Sequence, residues 1–91
     1  MDLDQKLQEF QQKYVSLEQQ AEPESLERHV YGQITSFIRL EQDTTPALDR
    51  AAQTKIRLLS LAEVLNPSSG RRMVQEAIRE LEQIADLPPI R

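Results

Sequence analysis

His29 is the only histidine in the chain, and Glu22, Glu24 and Glu27 precede it closely. A carboxylate–imidazole metal site on a helix needs ligands three or four residues apart, so that they leave the same face. Those positions hold Ser25 and Leu26 before the histidine, and Gly32 and Gln33 after it. The spacing supplies no ligand pair, so no metal is expected. Cysteine is absent, which removes disulfides, thiol catalysis and thiolate ligands together. Ser16, Ser25, Ser36 and Ser60 have no histidine at a spacing that would activate a hydroxyl. Glu76 and Glu80 lie one helical turn apart, but a catalytic carboxylate pair also needs an apolar pocket that separates its two pKa values. Nothing in the sequence places such a pocket. The residues predict neither an enzyme nor a cofactor.

Asn66-Pro67-Ser68-Ser69-Gly70-Arg71-Arg72 is the remaining segment with chemical potential. Ser68 and Ser69 at the start of a helix, with Arg71 and Arg72 behind them, could hold an anion. The same residues are ordinary helix-start chemistry, and the Gly spacing and Lys of a nucleotide-binding loop are missing. Residues 58–82 also resemble a helix-turn-helix in outline, which would offer Arg71, Arg72 and Arg79 to nucleic acid. Met73 and Val74 fall one or two positions late for that motif, and Glu76, Glu80 and Glu82 repel phosphate. The net charge of −4, with its acids concentrated in the first half, argues against nucleic acid as the partner.

The elements that would carry these residues are helical. Gln, Glu, Leu, Arg and Ala dominate, only Gly32 and Gly70 interrupt as glycines, and no stretch alternates with the period of a strand. Prolines and turn formers cut the chain into helices over about 2–21, 23–41, 46–65 and 69–86. Pro23 and Pro46 read as first-turn prolines, with Thr45 as an N-cap and Ser68 or Ser69 capping the last helix. Residues 1–87 form one domain, and residues 88–91 a short extended tail set by Pro88 and Pro89. The predicted fold is all-α, an up-down bundle of about four helices. No apolar run reaches the roughly 18 residues that span a bilayer. No secretory leader precedes the first helix, so a cytoplasmic protein is expected.

The apolar stripes separate the helices by role. Leu3, Leu7, Phe10, Tyr14, Leu17 and Ala21 follow an unbroken 4-3-4-3-4 spacing, the narrow seam of a coiled coil. This first helix either completes the bundle or projects from a three-helix core to pair with a second chain. Its other faces are rich in glutamine, including Gln5, Gln8, Gln11 and Gln12. These give a solvated surface, or a docking surface that is easier to desolvate than a charged one. The third helix carries Leu58, Leu59, Leu61, Ala62, Val64 and Leu65 around most of its circumference, which predicts a central position. Gly32 inside the second helix signals either a close helix approach or a local weakness. The functional expectation is a non-enzymatic helical interaction module, a small regulatory, adaptor or assembly subunit. It would bind another protein or pair as a homodimer through Leu3, Leu7, Phe10, Tyr14 and Leu17. A nucleic-acid-associated protein using residues 58–82 is the alternative.

Overall fold

Side-chain caps set the first two helix starts, and a proline stands at the third. The computed structural model describes residues 2–65 and 69–88, in which four helices follow one another: α1 Leu3–Gln20, α2 Leu26–Leu40, α3 Ala47–Val64 and α4 Ser69–Ala85. Asp2 caps α1 by accepting the Asp4 N–H at 3.2 Å. α2 starts three residues later than Pro23 suggested. The Ser25 hydroxyl accepts the Arg28 N–H at 3.1 Å and donates to the Glu22 carbonyl at 2.7 Å. A hydroxyl can satisfy an orphan helix N–H, which proline cannot do. The chain reaches that cap through Glu24, whose φ of 69° is left-handed. At α3 the expectation of a Thr45 cap fails. Pro46 itself holds the N-cap position, extended and without a side-chain cap bond, and Ala47 is the first helical residue. The expected cap at Ser68 lies outside the described residues, as do positions 66, 67 and 89–91. α4 ends on Asp86 at φ 54°, with the Leu87 N–H donating to the Glu82 carbonyl at 2.9 Å. That six-to-one bond is the Schellman closure, and Leu87 packs back onto the core as such motifs do.

The helices pair as two hairpins, α1 with α2 and α3 with α4, and each helix also touches both helices of the other hairpin. The result is an all-α four-helix bundle with extents of 35 × 29 × 19 Å. Contrary to what its apolar content predicted, α3 is not buried on all sides. Val74, Ala77, Ile78 and Leu81 of α4 have no exposed surface at all. α3 buries Ala51, Leu58, Leu61 and Ala62 but leaves Leu48, Ile56 and Val64 at 49%, 55% and 80% exposure. The expectation counted apolar residues around the circumference. An i, i+3, i+4, i+7 stripe buries one face of a helix, and α4 has such a stripe from Val74 to Ala85.

The seam of α1 faces inward. Leu7, Phe10 and Tyr14 are buried, and Leu3 and Leu17 are partly buried against the same core. Phe10 and Tyr14 meet edge to face with centroids 5.1 Å apart, and Tyr14 lies 5.9 Å from Tyr31 of α2. Desolvation holds the Tyr14 phenol neutral far above its ordinary range, and the nearby Glu80, Tyr31 and Glu76 push it the same way. Within this chain the seam residues, expected as a partner-binding surface, pack against the chain's own helices. A heptad stripe specifies a neighbouring surface without specifying whose chain supplies it. Gly32 is approached at its Cα by the Glu18 carboxylate, 3.1 Å from where a Cβ would stand, so a flexible side-chain end and not a second backbone fills the space.

A polar node ties the two hairpins. Glu41, at the end of α2, has a side chain only 9% exposed and accepts from Arg57 of α3 at 2.6 Å and from the Thr44 hydroxyl at 3.0 Å. Arg50 of α3 donates to the Thr44 carbonyl and pairs with Asp4 of α1. The Arg57 hydrogen bond, then the Thr44 bond, hold the Glu41 carboxyl below its ordinary value of 4.5 against the opposing effect of burial. A carboxyl depressed in the folded state stabilises the fold above its unfolded pKa. That stability is lost as pH falls from 4.5 toward the folded value. Urea midpoints measured from about pH 6 down to about pH 3 should therefore fall more steeply for the native chain than for E41Q, with the two curves converging at the acid end. Parallel curves would remove Glu41 from the node.

Candidate functional site

The arginines singled out by the sequence do not form one surface. Arg72 and Arg79, two helical turns apart, are exposed on the outward face of α4, with the exposed Glu76 between them. Arg71 sits half-buried about a quarter turn away, Ser69 is exposed at the helix start, and Ser68 lies outside the described residues. α4 buries Val74, Ala77, Ile78 and Leu81 among three neighbours. His29 is exposed. Among the described residues no group of three His, Asp or Glu side chains is placed to hold a metal ion.

What the fold does assemble is a cleft of about 230 Å³ where α1, α2, α3 and α4 converge. Its floor is apolar and comes from three helices: Leu7 and Phe10 of α1, Ile38 of α2 and Leu81 of α4. Its rim is polar. Gln8 and Gln11 flank the α1 seam, Gln42 and Asp43 come from the α2–α3 link, and Asp4 and Arg50 close one side as an ion pair. Thr54 also borders the space, but its hydroxyl donates to the Arg50 carbonyl at 2.8 Å within α3. The α1 periodicity explains the arrangement. Leu7 and Phe10 point into the core, and the residue after each of them is a glutamine at the edge of the same stripe.

The cleft offers hydrogen-bonding groups around an apolar surface. Each primary amide both donates and accepts, so Gln8, Gln11 and Gln42 can satisfy the N–H and C=O groups of a peptide backbone. The floor can take an apolar group. At about 230 Å³ the space is below the roughly 300–1,000 Å³ of pockets that enclose drug-sized ligands. It fits one bulky side chain. Gln8 and Gln11 belong to the glutamine-rich faces of the first helix, but Ile38, Leu81 and the link residues carried no signal of their own, because the cleft exists only once the hairpins meet. A second depression, lined by Lys6, Glu9, Lys13, Glu80, Gln83 and Ile84 among others, is shallower and is crossed by the Lys13–Glu80 ion pair.

The rim and the floor should separate in a stability measurement. Q8A and Q42A replace exposed side chains that have no structural partner among the described residues and should change unfolding free energy by no more than about 0.5 kcal/mol. I38A removes buried floor and should cost about 2–5 kcal/mol. Urea denaturation of the three variants measures both effects, and a loss above about 1 kcal/mol for either glutamine would make the rim structural. Set against known proteins, the chain matches no family model, no curated protein and no solved structure.

Proposed function

We propose that the protein is a non-enzymatic interaction module, a small adaptor or assembly subunit. In this reading it docks a polypeptide by receiving one apolar side chain in the cleft. The observation that supports this is an apolar floor under a polar rim that includes three neutral amides. Gln8, Gln11 and Gln42 are cheap to desolvate relative to charged groups, and they stand where a partner's backbone would cross the mouth. Rims of this kind supply orientation, and a buried apolar anchor supplies most of the affinity. The nucleic-acid reading has no comparable support, since Glu76 interrupts Arg72 and Arg79.

A second reading, self-association, draws on a different surface. Among the described residues, the exposed large apolar side chains lie on α2 and α3: Leu26, Leu40, Leu48, Ile56 and Val64. On α3, positions 48, 52, 56, 60 and 64 make an uncharged ridge at four-residue spacing, of the sort that interlocks with a second helix. One experiment distinguishes the readings. A benzoylphenylalanine photocrosslinker is placed at Gln11 or, separately, at Ser60 in the full chain, and each protein is irradiated in cell lysate. Docking at the cleft predicts a discrete adduct with a different protein from position 11 and none from position 60. An adduct at twice the chain mass from position 60 would favour the homodimer. Absence of any adduct from position 11 would contradict the docking reading.

A further inference from the structure

The mouth of the cleft carries an uneven charge, and that unevenness selects among occupants. Among the described residues, three ionisable side chains line it. Asp4 and Arg50 neutralise one another, and Arg50 is engaged a second time by the Thr44 carbonyl at 3.4 Å. The remaining one, Asp43, is exposed and has no ion-pair partner among the described residues. The nearest acid along the chain, Glu41, is engaged by Arg57 and Thr44 and does not line the space. α4 contributes only Leu81 to the lining, and α2 only Ile38, so neither brings a compensating cation. A partner that seats an apolar group on Leu7, Phe10, Ile38 and Leu81 therefore brings its flanking residues past one unneutralised carboxylate.

We infer that the cleft takes a polypeptide segment in which a bulky apolar side chain is neighboured by lysine or arginine. The inference rests on the docking reading above and adds the partner's charge to it. An acidic flank would meet Asp43 as a like charge, and Arg50 is already committed and cannot offset it. A neutral flank would gain nothing from it. The three amides remain available to the segment's backbone on either side of the anchor. Because Asp43 is exposed, its contribution is that of a rim charge: a preference of about two- to fivefold in affinity, weakening with added salt.

The test uses three acetylated, amidated nine-residue polyalanine peptides with a central leucine flanked by two arginines, two glutamines or two glutamates. Each is titrated into the full-length nitrogen-15-labelled protein, and the side-chain amide resonances of Gln8, Gln11 and Gln42 are followed. The arginine peptide should shift those resonances and bind about two- to fivefold more tightly than the glutamine peptide, and the glutamate peptide should bind most weakly. D43N should remove the advantage of the arginine peptide. D49N, which neutralises an exposed acid outside the lining, should leave that advantage in place. Equal affinities for all three peptides, with cleft resonances shifting, would overturn the charge preference and leave the docking reading standing. An absence of cleft shifts with all three would overturn both.

Discussion

Burial of the α1 stripe against the other three helices is the contact on which the rest of the molecule depends. Leu7, Phe10 and Tyr14 are each removed almost wholly from water, and burying three side chains of this size contributes on the order of 5–9 kcal/mol. A domain of this length has a net stability of about 5–14 kcal/mol. α1 is therefore comparable in weight to the whole margin by which the fold persists. Without it, one side of the fully buried α4 stripe from Val74 to Leu81 would face solvent.

The same contact creates the cleft. α1 covers the core along its seam, yet near Leu7 and Phe10 it leaves space that Ile38 and Leu81 line and do not fill. The polar node holds that end open in a defined shape. Asp4 anchors the start of α1 to Arg50, Arg50 reaches the link at Thr44, and Thr44 and Arg57 both bind Glu41 at the end of α2. The core and the cleft thus share residues. Leu7 and Phe10 are core on one side and floor on the other, whereas Gln8, Gln11, Gln42 and Asp43 stand outside the core.

Much of the fold was legible because helix signals are local. The 4-3 spacing from Leu3 to Leu17 marked the inward face of α1 residue by residue, and the Pro-rich breaks placed four helices in order. The errors arose where local signals competed or where the answer was not local. Pro23 marked a helix start, but the Ser25 hydroxyl supplied a cap and moved it. α3 looked central by apolar content, but Leu48, Ile56 and Val64 leave its surface in outward directions, so part of it faces solvent. Whether the α1 seam paired within the chain could not be read from its period, since both arrangements demand the same spacing. The cleft was the least legible feature. It joins residues from α1, the α2–α3 link and α4 that are separated by tens of positions, and only Gln8 and Gln11 advertised themselves, through the glutamine content of the first helix.

The most direct test of the account is the behaviour of the chain without residues 1–22. Light-scattering mass and cooperative urea unfolding would be measured for this truncation and for the full-length protein across a wide concentration range. If α1 closes the core within its own chain, the full-length protein unfolds cooperatively as a unit whose stability does not require a second copy, and the truncation loses cooperative unfolding altogether. A full-length dimer that becomes a folded monomer on truncation would contradict the account, because α1 would then be an arm between chains and the cleft would not belong to a single chain.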